Sequence, residues 1–278
     1  MAAQQIGQNL AFINWTVLTG LAIGSFVAVV MAALRTEATR GFLAFTAGCA
    51  TFVAILAFAS DRALPATFGG SPVIPDLAFD TPRRVALGLF TILAAAYTIA
   101  VARRRRAPWL AAAGLVAAGG VLLIAALGWG GGALGAVPLL LQLAVLAIAT
   151  GGVFAAMILG HWYLVTPKLP EAPLILIARA LVAVIAIQLL LFSVWVATGA
   201  GPAGGAPFGV LVGQWAFFVW MRLIIGLLFP LIVSWAAVRT ATTRSMESAT
   251  GLLYINVGSI AAGTILAAGL YFGAGLLV

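Results

Sequence analysis

A chain of 278 residues that is 64% hydrophobic and 7% charged cannot clothe a water-facing globule, since a soluble domain carries about 25% charged side chains. Its mean hydropathy of +1.20 makes lipid the solvent for most of its length. The net charge of +8 would suit nucleic acid, but the arginines punctuate apolar runs instead of lining one face, so no nucleic-acid partner is expected.

The opening segment "MAAQQIGQNL" lacks the positive stretch of a secretory signal, so no cleaved leader is expected. A membrane-crossing helix needs about 20 apolar residues to span about 30 Å of hydrocarbon. Eight runs meet that requirement: 10–33, 41–60, 85–102, 108–129, 135–159, 173–198, 211–238 and 248–275. They are rich in Ala and Leu and do not alternate with period two, which excludes barrel strands. Pro108 and Pro173 suit the first turn of a helix, where no N–H is needed, and Gly130 to Gly132 make a flexible connection.

The expected fold is therefore an all-α integral membrane protein, one polytopic domain over 1–278. "LAIGSFVAVVMA" in the first run and "IATGGVFAAMILG" in the fifth share small-residue spacing and chain direction. That pattern suggests halves at 1–132 and 133–278, each a four-helix bundle. Gly20, Gly24, Gly151, Gly152, Gly258, Gly263 and Gly269 recur where helices could approach closely in lipid.

Orientation follows from the short connections. Arg35 and Arg40, the run Arg103 to Arg106, Lys168, and Arg239 with Arg244 all fall in odd-numbered connections. The fourth and sixth connections carry no charge, and the second balances Asp61, Asp76 and Asp80 against Arg62, Arg83 and Arg84. The odd connections are expected in the cytoplasm, with both termini outside a cell inner membrane.

The chemistry available is narrow. No Asp or Glu falls inside the eight runs, which disfavours a proton-coupled carrier. His161 is the single histidine, so a bis-histidine haem is excluded, and Met157 lies on the same helix face and cannot oppose it. Cys49 stands alone, and no metal cluster is expected.

Among polar groups within the runs, Arg222 lies roughly 15 Å into the seventh. It is either hydrogen-bonded to carbonyls freed at Pro230 or a cation facing a cavity that holds a polar head group. Arg179, about 9 Å into the sixth run, can snorkel to the surface. Asn9, Asn14 and Trp15 open the first run, and Trp215, Phe217, Phe218 and Trp220 surround the start of the seventh. These aromatics read as an interfacial belt or as walls of a pocket for an aromatic ligand such as a quinone. Tyr254 and Asn256 are further inward-facing candidates. In "GHWYLVTPKLPEAP", Trp162 and Tyr163 read as interfacial anchors with Lys168 and Glu171 in a wet loop, while His161 could carry the proton that quinone chemistry requires.

"INWTVLTGLAIGSF", "FVWMRLIIGLL" and "AAGTILAAGLYFG" resemble the first, seventh and last helices of the eight-helix membrane-anchor subunits of DMSO-reductase and polysulfide-reductase type complexes. The resemblance spans the topology of the chain but only short segments of sequence, and the His161 stretch has no counterpart in it. It implies a haem-free subunit passing electrons between quinone and an iron–sulfur subunit, with Trp15 and Arg222 as the positions that carry over. The expected function is thus a non-catalytic integral subunit of a respiratory complex, in contact with lipid, quinone and extrinsic subunits. The alternatives are a permease for a small solute or metal ion, or a structural or assembly membrane protein.

Overall fold

The computed structural model describes residues 2–166 and 169–278. A short helix α1 (Ala2–Gln8) precedes α2 (Leu10–Arg35), α3 (Arg40–Asp61), α4 (Asp80–Ala102), α5 (Pro108–Trp129), α6 (Ala133–Val165) and α7 (Ala172–Thr198). Then come α8 (Ala216–Leu223), a π-helical segment Ile224–Leu228, α9 (Phe229–Thr242) and α10 (Met246–Ala274). Eight helical spans are long and apolar enough to cross a membrane, α8, the π segment and α9 forming one of them. The chain is an all-α, multi-span membrane protein.

Local signals set most boundaries. Pro108 opens α5 in the first turn, and Pro173 does the same for α7. Thr39 caps α3 by accepting a hydrogen bond from the Phe42 N–H. Gly131 (φ +70°) and Gly132 (φ +116°) turn the chain between α5 and α6 in a conformation that residues with a Cβ rarely adopt.

Four boundaries differ from expectation. Helix α1 was unforeseen because its residues are polar; Asn9 fixes it by donating to Gln5 O and Gly69 O, both at 2.8 Å. Helix α4 begins at Asp80 rather than 85, because a single turn of 3-10 helix, Leu77–Phe79, leads into it. Helix α6 runs on through His161 to Val165, so the first part of "GHWYLVTPKLPEAP" is helix, while Lys168 lies outside the described residues. The seventh span starts at Ala216 instead of 211 and is interrupted by the π segment.

Helices α2, α3, α4 and α5 pack in sequence, and so do α6, α7, α9 and α10, with α10 returning to α6. The most extensive interface joins α2 to α6, the first long helix of each group. Here backbones meet: a Cβ on Gly24 would overlap the Ala147 carbonyl, and one on Gly151 would overlap the backbone at Gly24 and Ser25. Without a hydrophobic effect between helices in lipid, such close approach supplies the dispersion contact that holds them. Gly263 against Gly226 does the same between α10 and the π segment. Gly258 touches nothing and faces outward.

The C-terminal ends of α2, α4, α6 and α9 share one end of the molecule, called the arginine end for Arg35, Arg40, Arg103 to Arg106, Arg239 and Arg244. The opposite end is the aspartate end, with Asp61, Asp76 and Asp80.

Candidate functional site

At the aspartate end, three helices, α2, α3 and α4, converge on one carboxylate. Asp61 closes α3 and is fully buried. Arg83 Nε and Trp15 Nε1 both donate to Asp61 Oδ2 at 2.8 Å, and Arg84 Nε donates to Oδ1 at 3.2 Å. Arg83 also donates to Asp80 Oδ1 at 2.7 Å. Its guanidinium lies 4.6 Å from the Trp129 ring centre. Charge-assisted bonds and a cation–π contact gain strength when water is excluded, and they offset the cost of desolvating the ions.

An aromatic cluster seals this ion pair. Phe12, Phe68, Trp129 and Phe272 pack edge to face or tilted within 6.4 Å of one another. Tyr271 locks the cluster to α5 by donating to the Trp129 carbonyl at 2.6 Å. Beside it an open groove of about 930 Å³ is bordered by Phe79, Gly128, the turn Gly130 to Gly132, and Gly201. Asp80 and Arg84, 34% and 38% exposed, are the parts of the ion network that reach the surface.

This network corrects one expectation. No acid was expected inside the spans, yet Asp61 and Asp80 are helical residues and Asp61 is fully buried. Burial is tolerated because two arginines and an indole N–H satisfy the carboxylate. Trp15 is part of that arrangement: it donates to Asp61 from a fully buried position instead of lining an open pocket. The clue in the sequence was the balanced second connection, three Asp against three Arg between 61 and 84.

Arg222 forms a second, separate site. Because the span begins at Ala216, Arg222 lies roughly 9 Å into it, not 15 Å. It is 2% exposed. Nη2 donates to Gln188 Oε1 at 2.6 Å and Nη1 donates to Gly226 O at 3.1 Å. An α-helical N–H at position 230 would have bonded Gly226 O, and Pro230 has none. The arginine therefore takes over a carbonyl that the proline leaves open, and Gln188, anchored to Val145 O at 3.2 Å, holds its other arm. Nε has no partner among the described residues. Replacing Arg222 with methionine strands Gln188 Oε1 and Gly226 O. The expected loss is about 1–3 kcal/mol of stability, read as a lowered unfolding temperature in detergent.

The remaining candidates do not gather around either site. Asn14 is exposed and bonds Ser60 Oγ at 3.2 Å. Trp220 is 45% exposed and donates to Leu211 O at 3.2 Å. Asn256 does face inward, donating to Ser234 Oγ at 2.7 Å and accepting from Ser259 Oγ at 3.1 Å. Tyr254, expected inward, is 48% exposed, and its hydroxyl lies 3.4 Å from Nδ1 of the exposed His161. Of the two expected interfacial anchors, Trp162 is half-buried against Gly41, and Tyr163 is a core residue whose hydroxyl donates to the Pro170 carbonyl. Tyr163 is buried because it packs in the core cluster with Phe42, Leu159 and Leu174. Arg179 is exposed on α7. Among the described residues no group of three or more His, Cys, Asp or Glu could hold a metal ion.

No protein-family profile, curated protein or solved structure matches this chain.

Proposed function

We propose that the chain is a non-catalytic integral subunit of a membrane redox complex, anchoring extrinsic electron-transfer subunits and meeting quinol at its aspartate end. The observation that carries this reading is the ion network around Asp61. Where that network reaches the surface, Asp80 presents an acceptor and Arg84 a donor, the two kinds of partner a quinol hydroxyl needs, and the open groove bordered by Phe79 lies at the same end. Arg222, with its guanidinium committed to Gln188 and Gly226, is assigned to holding the broken seventh span and not to the ligand. His161 lies at the opposite end and takes no part.

Arg84 tests the quinol contact, because it is partly exposed and its loss leaves Arg83 on Asp61. In the assembled complex, Arg84→Gln should raise the KM for a short-chain quinol several-fold at unchanged yield. An unchanged KM would remove quinol from the proposal. A purely structural scaffold is the second reading, favoured by the way the buried polar groups bond chiefly to one another.

The placement proposed is a cell inner membrane with the arginine end in the cytoplasm and both termini outside. In a Cys49→Ser background, single cysteines at Ser71 and Ala203 should react with an impermeant maleimide added outside, and one at Ala107 should not. The reverse pattern would invert the orientation.

A further inference from the structure

The arginine end carries a second groove, of about 700 Å³, where α4 ends, α5 begins and the α2–α3 connection crosses. Arg40, Arg104, Arg105 and Arg106 line it, and all four are exposed. None of them forms a salt bridge, although all six acidic residues of the chain lie among the described residues. Asp61 and Asp80 are taken by Arg83 and Arg84 at the other end, and Glu171 is taken by Arg244 at 2.6 Å. Glu37, in the connection beside the groove, lines a different crevice with Leu159 and Tyr163.

The walls below the arginines are apolar: Val30, Leu34, Leu43 and Val101, with Tyr97 at the base. From there the outward face of α4 stays greasy, with Ile99 52% and Ile92 67% exposed. Helix α5 adds a further anion preference, since Ala107 at its start supplies no side-chain cap for the first N–H groups. Arg104 holds a left-handed backbone (φ +63°), which turns the chain sharply at the groove rim.

We infer that this groove binds an anionic phospholipid, its phosphate on Arg40 and Arg104 to Arg106 and its acyl chains along the α2 and α4 walls. Two features select a lipid over a soluble anion. The charged rim sits directly above an apolar wall, and that wall continues along the lipid-facing side of the helix. Unpaired arginines at a membrane interface are attracted to anionic lipid head groups, each contributing roughly a few-fold in affinity.

The test uses the whole chain, purified in neutral detergent, with phosphatidylglycerol, phosphatidylcholine and inorganic phosphate as probes. Phosphatidylglycerol should raise the unfolding temperature and be retained in native mass spectra. Phosphatidylcholine and phosphate should do neither. The variant Arg104→Asn/Arg105→Gln/Arg106→Gln should bind phosphatidylglycerol at least about tenfold more weakly. Arg239→Gln, on the same end but outside the groove, should bind as the parent does. A photoactivatable phosphatidylglycerol on the parent chain should label the segment 97–111, which maps the site even if the triple variant folds poorly. Equal protection by inorganic phosphate would make this a free-anion site and overturn the lipid assignment. So would equal retention of phosphatidylcholine, undiminished binding by the triple variant, or labelling spread evenly over the helices.

Discussion

Gly24→Val should be strongly destabilising, although it adds only three carbon atoms to the fold. The Cβ it introduces meets the Ala147 carbonyl and comes within 2.9 Å of Gly151 Cα, both of them backbone. A clash against a flexible side chain can be relieved by a new rotamer. Here α2 and α6 must move apart, and their interface is the most extensive in the structure. Overpacking usually costs about 1–3 kcal/mol, and separation of two backbones lies at or above the upper end. The expected result is a large fall in folded protein recovered from membranes and a lowered unfolding temperature for what remains. Gly258→Val is the control. That glycine faces outward with nothing within 4 Å, so the change should stay within about 0.5 kcal/mol. Equal tolerance at the two positions would mean that α2 and α6 do not cross where the glycines place them.

Asp61→Ala carries the other large effect. It leaves Arg83, 1% exposed, with only Asp80 as its charged partner and strands the Trp15 N–H. Removing one member of a buried pair costs about 3–5 kcal/mol, mainly because the survivor stays desolvated and uncompensated. Asp61→Leu combined with Arg83→Met should recover most of that loss, since a buried pair replaced by apolar groups of similar volume is often neutral. Thermal unfolding of Asp61→Leu, Arg83→Met and the double variant measures the coupling. A cost below about 1 kcal/mol for Asp61→Ala would show that the carboxylate is hydrated and open rather than buried against Trp15 and Arg83.

How much of this was legible in the sequence differs between fold and site. Span number and helical class follow from run length and composition, and they hold because lipid forces every backbone N–H and C=O to bond within its own helix. Glycine contacts were legible in part: Gly20, Gly24 and Gly151 do lie between α2 and α6, whereas Gly258 spaces nothing. Boundaries failed where polar residues begin a helix, as at α1 and Asp80. The Arg222 reading that linked it to Pro230 matches the observed bond to Gly226, but its partner Gln188 is 34 residues away and no local pattern announces it. The Asp61 network was hidden for a similar reason. Its members lie on α2, α3 and α4, and a residue at the edge of an apolar run looks solvated until tertiary packing covers it. Aromatic residues near the start of a run were not distinguished by sequence, because one can be exposed, as Trp220 is, or fully buried, as Trp15 is.

Purification from the native membrane in mild detergent, with quantitative subunit analysis, tests the proposal that this chain anchors a redox complex. The chain should elute with one or more extrinsic subunits carrying iron–sulfur centres, in fixed stoichiometry. Asp61→Ala should reduce the complex in proportion to the folded chain. Elution of the chain alone, or solely with further copies of itself, would contradict the anchor role.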